Sequence, residues 1–232
     1  VLYNIAIIPA RGGSKGLAKK NLLPFCGKPL LAHSILYALA CPDCAAVYVS
    51  TEDSQIAAVA RDYGAEVIDR PLALAGDAAT TESAIEHALT ALDEKPDNII
   101  LLQPTSPLRP EGSLSEALRI FRQQHCDSLL SLSPTHLFLW RKEGGEAVPK
   151  YNYQHRLRRQ DMTDADRYYQ ENGSLYIFRY EHFMSTQNRL GGKIGHIVFA
   201  EQYGYQIDTL ADFQFLEHLA GSFEEQQHAT QA

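Results

Sequence analysis

Between Ala10 and Asn21 the chain reads Ala-Arg-Gly-Gly-Ser-Lys-Gly-Leu-Ala-Lys-Lys-Asn, a combination suited to gripping a polyanion. Three glycines let the backbone turn sharply and approach a ligand closely. Successive N–H groups in such a turn form a nest for anionic oxygens. Arg11, Lys15, Lys19, Lys20 and Lys28 lie within eighteen residues, and no Asp or Glu precedes Asp43. In a chain of formal net charge −7, this one-signed stretch marks a local anion site, and a nucleoside triphosphate is its natural occupant. The spacing is neither the P-loop G-x-x-x-x-G-K-[ST] nor the dinucleotide fingerprint G-x-G-x-x-G. The bland alternative is a flexible basic loop on the surface.

Two further segments carry chemistry. In Gln103-Pro104-Thr105-Ser106-Pro107-Leu108-Arg109 the prolines fix φ and stiffen the loop, so that Gln103, Thr105 and Ser106 can be held as hydrogen-bonding groups. The competing reading is a plain turn punctuated by Pro and Ser. Arg158 and Arg159 offer guanidinium forks that match a carboxylate in two-point contact, although Arg156 and Arg167 nearby also fit a solvated basic run. Cys41 and Cys44 form a lone C-x-x-C without the second pair that zinc requires, and they read as ordinary thiols. The nine histidines make no metal set by spacing.

Alternating elements must position these groups. Apolar runs at 4–9, 46–50, 65–68, 98–102, 128–132, 174–178 and 193–199 read as strands. Helical spacing covers 29–41, 52–63, 80–92, 111–124 and 210–220. Short connections between alternating strands and helices predict a doubly wound, mostly parallel α/β sheet. The basic loop and the Gln103 loop both follow apolar strands, at the edge where open α/β folds bind ligands. Residues 134–170 are polar, rich in Arg and Tyr and poorly periodic, and they read as an insertion within a single domain spanning 1–220. Residues 221–232 read as a small polar tail, frayed. The 232 residues, 45% hydrophobic and 21% charged, fit one globular domain. Negative net charge argues against a broad nucleic-acid-binding face. No apolar run reaches the roughly 18 residues that span a bilayer, and the first ten residues lack a basic leader. The expectation is a cytoplasmic protein with neither nucleic-acid nor membrane partners.

Read together, these stretches resemble the acylneuraminate cytidylyltransferases (CMP-sialic acid synthetases). The similarity is carried by Ile8 to Gly16 with Lys20-Asn21, by Ser50-Thr51-Glu52-Asp53, by Arg70-Pro71 and Gly76-Asp77, and by Leu102 to Arg109. It continues through Arg158 to Asp161, Glu171 to Tyr176 and Ile207-Asp208-Thr209, in the family's order from residue 5 to about 220. The resemblance implies a nucleotide-diphospho-sugar transferase fold and transfer of CMP from CTP to the anomeric hydroxyl of a nonulosonic acid, with release of pyrophosphate. It implies that Arg11 and Lys20 contact the triphosphate, with Gly12, Gly13, Ser14 and Lys15 binding phosphates. Asn21, Arg70 and Thr81 would lie near the cytidine. Gln103, Thr105, Ser106 and Asn172 would face the sugar acid, and Arg159 its carboxylate. Asp208 would bind Mg2+, although Gln206 stands where many members carry a second Asp. Asp212, one turn on, is a substitute ligand or a solvated helix position. Members usually form homodimers through the insertion, to which Phe138, Leu139 and Trp140 contribute unless they are core. Two other readings are an eight-carbon Kdo-type cytidylyltransferase and a non-catalytic nucleotide-binding module on the same fold.

Overall fold

The computed structural model describes residues 2–14 and 16–231, the side chains of 224–231 excepted. The strands in chain order are β1 (Asn4–Pro9), β2 (Pro24–Phe25), β3 (Lys28–Pro29), β4 (Ala46–Thr51), β5 (Glu66–Asp69), β6 (Asn98–Leu102), β7 (Ser128–Thr135), β8 (Trp140–Glu143), β9 (Glu146–Pro149), β10 (Tyr168–Arg179) and β11 (Ile194–Val198). The α-helices are α1 (Leu30–Leu39), α2 (Ser54–Asp62), α3 (Thr81–Thr90), α4 (Ser113–Gln123), α5 (Tyr180–Thr186) and α6 (Leu210–Gln231).

Seven strands form one sheet in the order β11-β7-β10-β6-β1-β4-β5. All neighbours pair in parallel except β10, which is antiparallel to both β6 and β7. Successive side chains of a strand point to opposite faces, and the central strands use both. Ile5 and Ile7 pack with Ile85, Ala88 and Leu89 of α3 and Phe183 of α5. Ala6 and Ile8 pack with Leu31 and Ile35 of α1, Ile56 and Ala60 of α2, and Leu114, Leu118 and Phe121 of α4. Strands that are apolar on both faces require helices on both faces, and the doubly wound arrangement follows.

Helix starts obey local chemistry. The Asp53 Oδ1 accepts the N–H groups of Gln55 (2.8 Å) and Ile56 (3.0 Å) and caps α2. The Thr80 hydroxyl accepts the Ser83 N–H at 3.1 Å and caps α3. The turn joining β2 to β3 has positive φ at Cys26 and Gly27, the two-residue geometry that matches strand twist.

The structure differs from the sequence reading in several places, among them α5 and the β2–β3 hairpin, which that reading lacked. The strand expected at 174–178 begins at Tyr168, so Asn172 lies within it. Residues 134–135 extend β7 and 168–170 belong to β10, which trims the insertion to an arm of 136–167. That arm holds the hairpin β8–β9, turned by Gly144 and Gly145 at positive φ. The 221–231 stretch, expected to fray, continues α6; its Glu, Gln and Ala are good helix formers.

Leu137 (68% exposed), Leu139 and Trp140 (52%) lie outside the buried core, so Leu139 and Trp140 are not core residues. Trp140 and Phe138 instead pack with Tyr151 on the arm, and the Arg156 guanidinium sits 3.9 Å from the centre of the Phe138 ring. Burial pushes the Cys44 thiol up to about 12, and none of the four cysteines forms a disulfide among the described residues. No helix of the described residues is long and apolar enough to cross a membrane.

Candidate active site

Parallel strands bring their following loops to one edge. β1, β4, β6 and β7 all end there, and β10, running the other way, enters the sheet there with Leu175 in register with Leu102 and Asn172 and Gly173 just before it in the chain. A cavity of about 420 Å³ opens at this edge, lined by Pro9, Arg11, Ser14, Gly16, Lys20, Asn21, Thr81, Gln103, Pro104, Thr105 and Asp208. A second cavity of about 300 Å³ shares Pro9, Arg11 and Thr81 with it and adds Arg70, Gly76, Asp77 and Thr80. The shared walls make one trough.

The basic loop is fastened at several points. Ala10 N–H donates to Ser50 O at 3.0 Å. The Asn21 amide, buried, donates to Arg11 O at 3.0 Å. Lys19 adopts a left-handed φ of 51° before a single 3-10 turn over Lys20–Leu22. The Lys20 Nζ donates to Ile207 O (2.7 Å) and to the Asp208 carboxylate (3.3 Å). Arg11 donates to Gly76 O and pairs with Asp77, both at 3.2 Å.

Lys20 and Asp208 are 188 residues apart, and an apolar cluster joins them. Phe25 and Leu30 pack against Ile207, Phe213 and Leu216, with Leu17, Leu23 and Leu108 around them. Burying side chains of this size contributes about 1.5–3 kcal/mol each, enough to hold the segment before α6 against the loop. Gly16 completes the contact: a Cβ there would run into the Asp208 carbonyl oxygen. At 74% exposure the Asp208 carboxylate is open to solvent.

Asp208 is the acidic residue in the first cavity's lining, and no group of three or more His, Cys, Asp or Glu among the described residues is placed to hold a metal. That donor set suits Mg2+ held through one carboxylate and nucleotide phosphates. Gln206 donates its Nε2 to Asn172 O at 2.9 Å. Asp212 is a partly exposed position in the first turn of α6, and it has a capping role that the sequence reading did not assign. Its carboxylate accepts the N–H groups of Asp208 (3.0 Å) and Thr209 (2.7 Å), while the Thr209 hydroxyl accepts the Asp212 N–H (3.2 Å), a capping box for α6. These hydrogen bonds, from Thr209 first, hold the Asp212 pKa below its ordinary value. The stability they supply is therefore present above the ordinary carboxylate pKa and is lost as pH falls through the depressed one.

Several expected contacts are corrected. The Gly12 N–H donates to Glu52 Oε1 at 2.7 Å, so it is not free for a phosphate. Asn172 is fully buried. Its Oδ1 accepts from Ser131 Oγ (2.5 Å) and Ser174 N–H (3.1 Å), and its Nδ2 donates to Ser133 Oγ (3.1 Å). Ser106 is also buried, and its hydroxyl donates to Asn172 O at 3.3 Å. Both are spent satisfying an irregularity in β10 between Glu171 and Tyr176, because buried polar groups must find partners. They support the wall behind Gln103 and Thr105. Arg159, on the arm, pairs at 3.0 Å with Glu201 of the segment after β11 and does not line the trough. Arg70 is buried and paired with Glu52 at 3.2 Å. Gly13 is open, and Lys15 lies outside the described residues.

The sequence reading gave Arg109 no role. It donates to Gln103 O (2.9 Å), Ser174 O (3.1 Å) and Ser34 Oγ (3.1 Å), tying the Gln103 loop to β10 and α1. Burial pushes its pKa down, with nearby Tyr37 opposing. Arg109→Ala strands three acceptors and should lower stability by about 3 kcal/mol, read as a shifted urea midpoint. Gly173, at φ 66°, was also unmarked; a Cβ there would lie 2.7 Å from Gln103 Oε1 and strike Gln206.

The cytidylyltransferase family profile matches residues 5–232. The chain is 31% identical over 215 residues to the N-acylneuraminate cytidylyltransferase of Escherichia coli O18:K1:H7, covering 90% of this chain and 50% of that protein. It is 29% identical over 226 residues to the pseudaminic acid cytidylyltransferase of Campylobacter jejuni serotype O:23/36, covering 94% and 96%. The chain thus spans about half the length of the E. coli relative. A solved CMP:2-keto-3-deoxy-manno-octonic acid synthetase complexed with CTP has the same fold, with a TM-score of 0.72 at 18% identity over 95% of this chain and 99% of that one.

Proposed function

The chain belongs to the cytidylyltransferase family, and from that premise we propose that it transfers CMP from CTP to the anomeric hydroxyl of a sialic-acid-type nonulosonic acid, releasing pyrophosphate. One observation carries the reading. Arg11, Lys20 and Asp208 share a single cavity with Gln103 and Thr105, so groups for a polyphosphate and groups for a polyhydroxyl acceptor face the same space.

The chemistry follows from charge. A hydroxyl oxygen of an anionic acid attacks the α-phosphorus of a polyanion, a bond to that phosphorus forms, and the bond to the bridging oxygen of pyrophosphate breaks. Cations fixed beforehand lower the cost of that approach, and in-line positioning supplies much of the rest. Lys20, anchored on Ile207 O, and Arg11, anchored on Gly76 O, present their charges to the triphosphate. Asn21 holds the loop, and Ser14 faces the phosphates. Arg70 and Thr81 line the part of the trough assigned to cytidine. Gln103 and Thr105 take the sugar hydroxyls or N-acyl group. Asp208 is the residue that would hold Mg2+, whose contribution is to neutralise phosphate charge.

The exposed Leu137, Leu139 and Trp140 of the arm are where we place a second copy of the chain, which would carry Arg159 toward its partner's site. CTP as substrate is the reason to place the reaction in the cytoplasm. The test mixes the protein, CTP and Mg2+ with a panel of nonulosonic acids and Kdo, and measures pyrophosphate. Release with a nine-carbon acid is expected. Release with Kdo alone would reassign the substrate, and no release with any acid would leave a nucleotide-binding module.

A further inference from the structure

We propose that Glu52 is a positioning residue of the nucleotide site, one carboxylate that sets both the phosphate loop and the Arg70 guanidinium. The proposal rests on the CTP reading above. Glu52 stands between the end of β4 and the Asp53 cap of α2. One oxygen accepts the Gly12 N–H at 2.7 Å, and the other accepts Arg70 Nη2 at 3.2 Å. The two charged side chains are only 5% (Arg70) and 11% (Glu52) exposed, so the pair is held away from water.

Each arm of this bridge reaches a different part of the trough. On the loop side, Gly12 is seated so closely that an added Cβ would lie 2.5 Å from Asp53 Oδ2. Asp53 cannot yield easily, because its other oxygen caps α2. The Glu52 bond therefore fixes the peptide plane entering Gly12, and with it the path of Gly13 and Ser14. On the other side, the Arg70 backbone N–H donates to Thr51 O at 2.9 Å, and its side chain lines the second cavity beside Arg11 and Thr81. The buried Arg70 Nε has no hydrogen-bond partner among the described residues. A buried, unsatisfied donor beside a cavity calls for an acceptor from a ligand.

Electrostatics gives the carboxylate its role. Burial and the neighbouring Arg11 both work against the Arg70 charge, and Glu52 opposes them. Two guanidinium groups that must stand together before the triphosphate arrives need a fixed counter-charge on the far side. Glu52 supplies it while keeping both its oxygens occupied, so little of its own charge faces the incoming phosphates. Cations ordered in advance spare the ligand the cost of ordering them.

The test is a mutant cycle with CTP as the probe, by calorimetry and steady-state kinetics. Glu52→Gln keeps an acceptor for Gly12 but loses the charge opposite Arg70. It should raise the CTP Kd about tenfold in the parent and by less than about twofold in an Arg70→Ala background. Glu52→Ala, which also frees Gly12, should raise it further in both backgrounds. KM for CTP should follow Kd while kcat falls by no more than about threefold. A purely structural residue would lower the melting temperature and leave Kd and KM in place. Unchanged CTP affinity in folded Glu52→Gln, or equal effects with and without Arg70, overturns the proposal. If Glu52→Ala does not fold, the Gln and Arg70 cycle decides. A parent protein that binds no CTP at all overturns the functional reading itself, an outcome distinct from a parent that binds and a variant that binds equally well.

Discussion

Lys20→Ala should release pyrophosphate from saturating CTP and acid about a thousandfold more slowly than the parent, with a melting temperature lower by only about 2–4 °C for the one hydrogen bond lost to Ile207 O. Preorganised groups aimed at developing charge are worth about 10²–10³ each when removed, and cations on a transferring phosphoryl group reach the upper part of that range or beyond. Lys20 fits that class. Its Nζ is held by a backbone carbonyl 187 residues away, and its side chain is only 12% exposed. It therefore enters the reaction already placed. Lys20→Met keeps most of the length and apolar stem but not the charge, and it should be as slow as the alanine variant. Recovery of activity in Lys20→Met would mean that packing, not charge, is the contribution. A single-turnover measurement of pyrophosphate release checks the rate, and a thermal melt checks the fold.

Asp208→Ala is expected to lose turnover to a similar degree, about a thousandfold, but with an opposite signature in binding. In Mg2+-free buffer the variant should bind CTP at least as tightly as the parent. The carboxylate stands 3.3 Å from Lys20 Nζ, so it competes with phosphate for that cation, and removing it frees Lys20 for the nucleotide. With Mg2+ present, the parent should gain affinity and the variant should gain little. Calorimetric titrations with and without the metal separate the two. If Mg2+ tightens CTP binding equally in both proteins, Asp208 does not hold the metal. α6 stays capped in the variant because Asp212 and Thr209 form the capping box independently of the Asp208 side chain.

These experiments turn on residues that were readable to different degrees. The acid-free run from Arg11 to Lys28 announces a polyanion site by composition alone, and β1 and β6 announce the sheet by unbroken apolarity. Membership of a family was legible because several short motifs recur in order. Asn172 and Ser106 were misread for a shared reason. A motif gives residue type but not the direction of a side chain, and only the irregularity in β10 turns both inward to satisfy buried polar atoms. Arg109 went unassigned because a buried arginine that ties loops together has the same local sequence as one that binds a ligand. The β8–β9 hairpin did leave a signal, Gly144-Gly145 between two short runs, which the polar composition of the arm obscured.

The sequence by itself determined the parallel strands, the helices between them, the cationic loop after β1 and the stiff loop after β6, because these depend on periodicity, backbone restriction and local charge. Tertiary structure decided which of those groups meet. It set Asp208 against Lys20 through an apolar cluster around Phe25, Ile207 and Phe213. It also turned Gly12 toward Glu52 rather than toward a phosphate. Contacts across such separations in the chain leave no periodic trace, since they arise from burial that only the packed fold can satisfy.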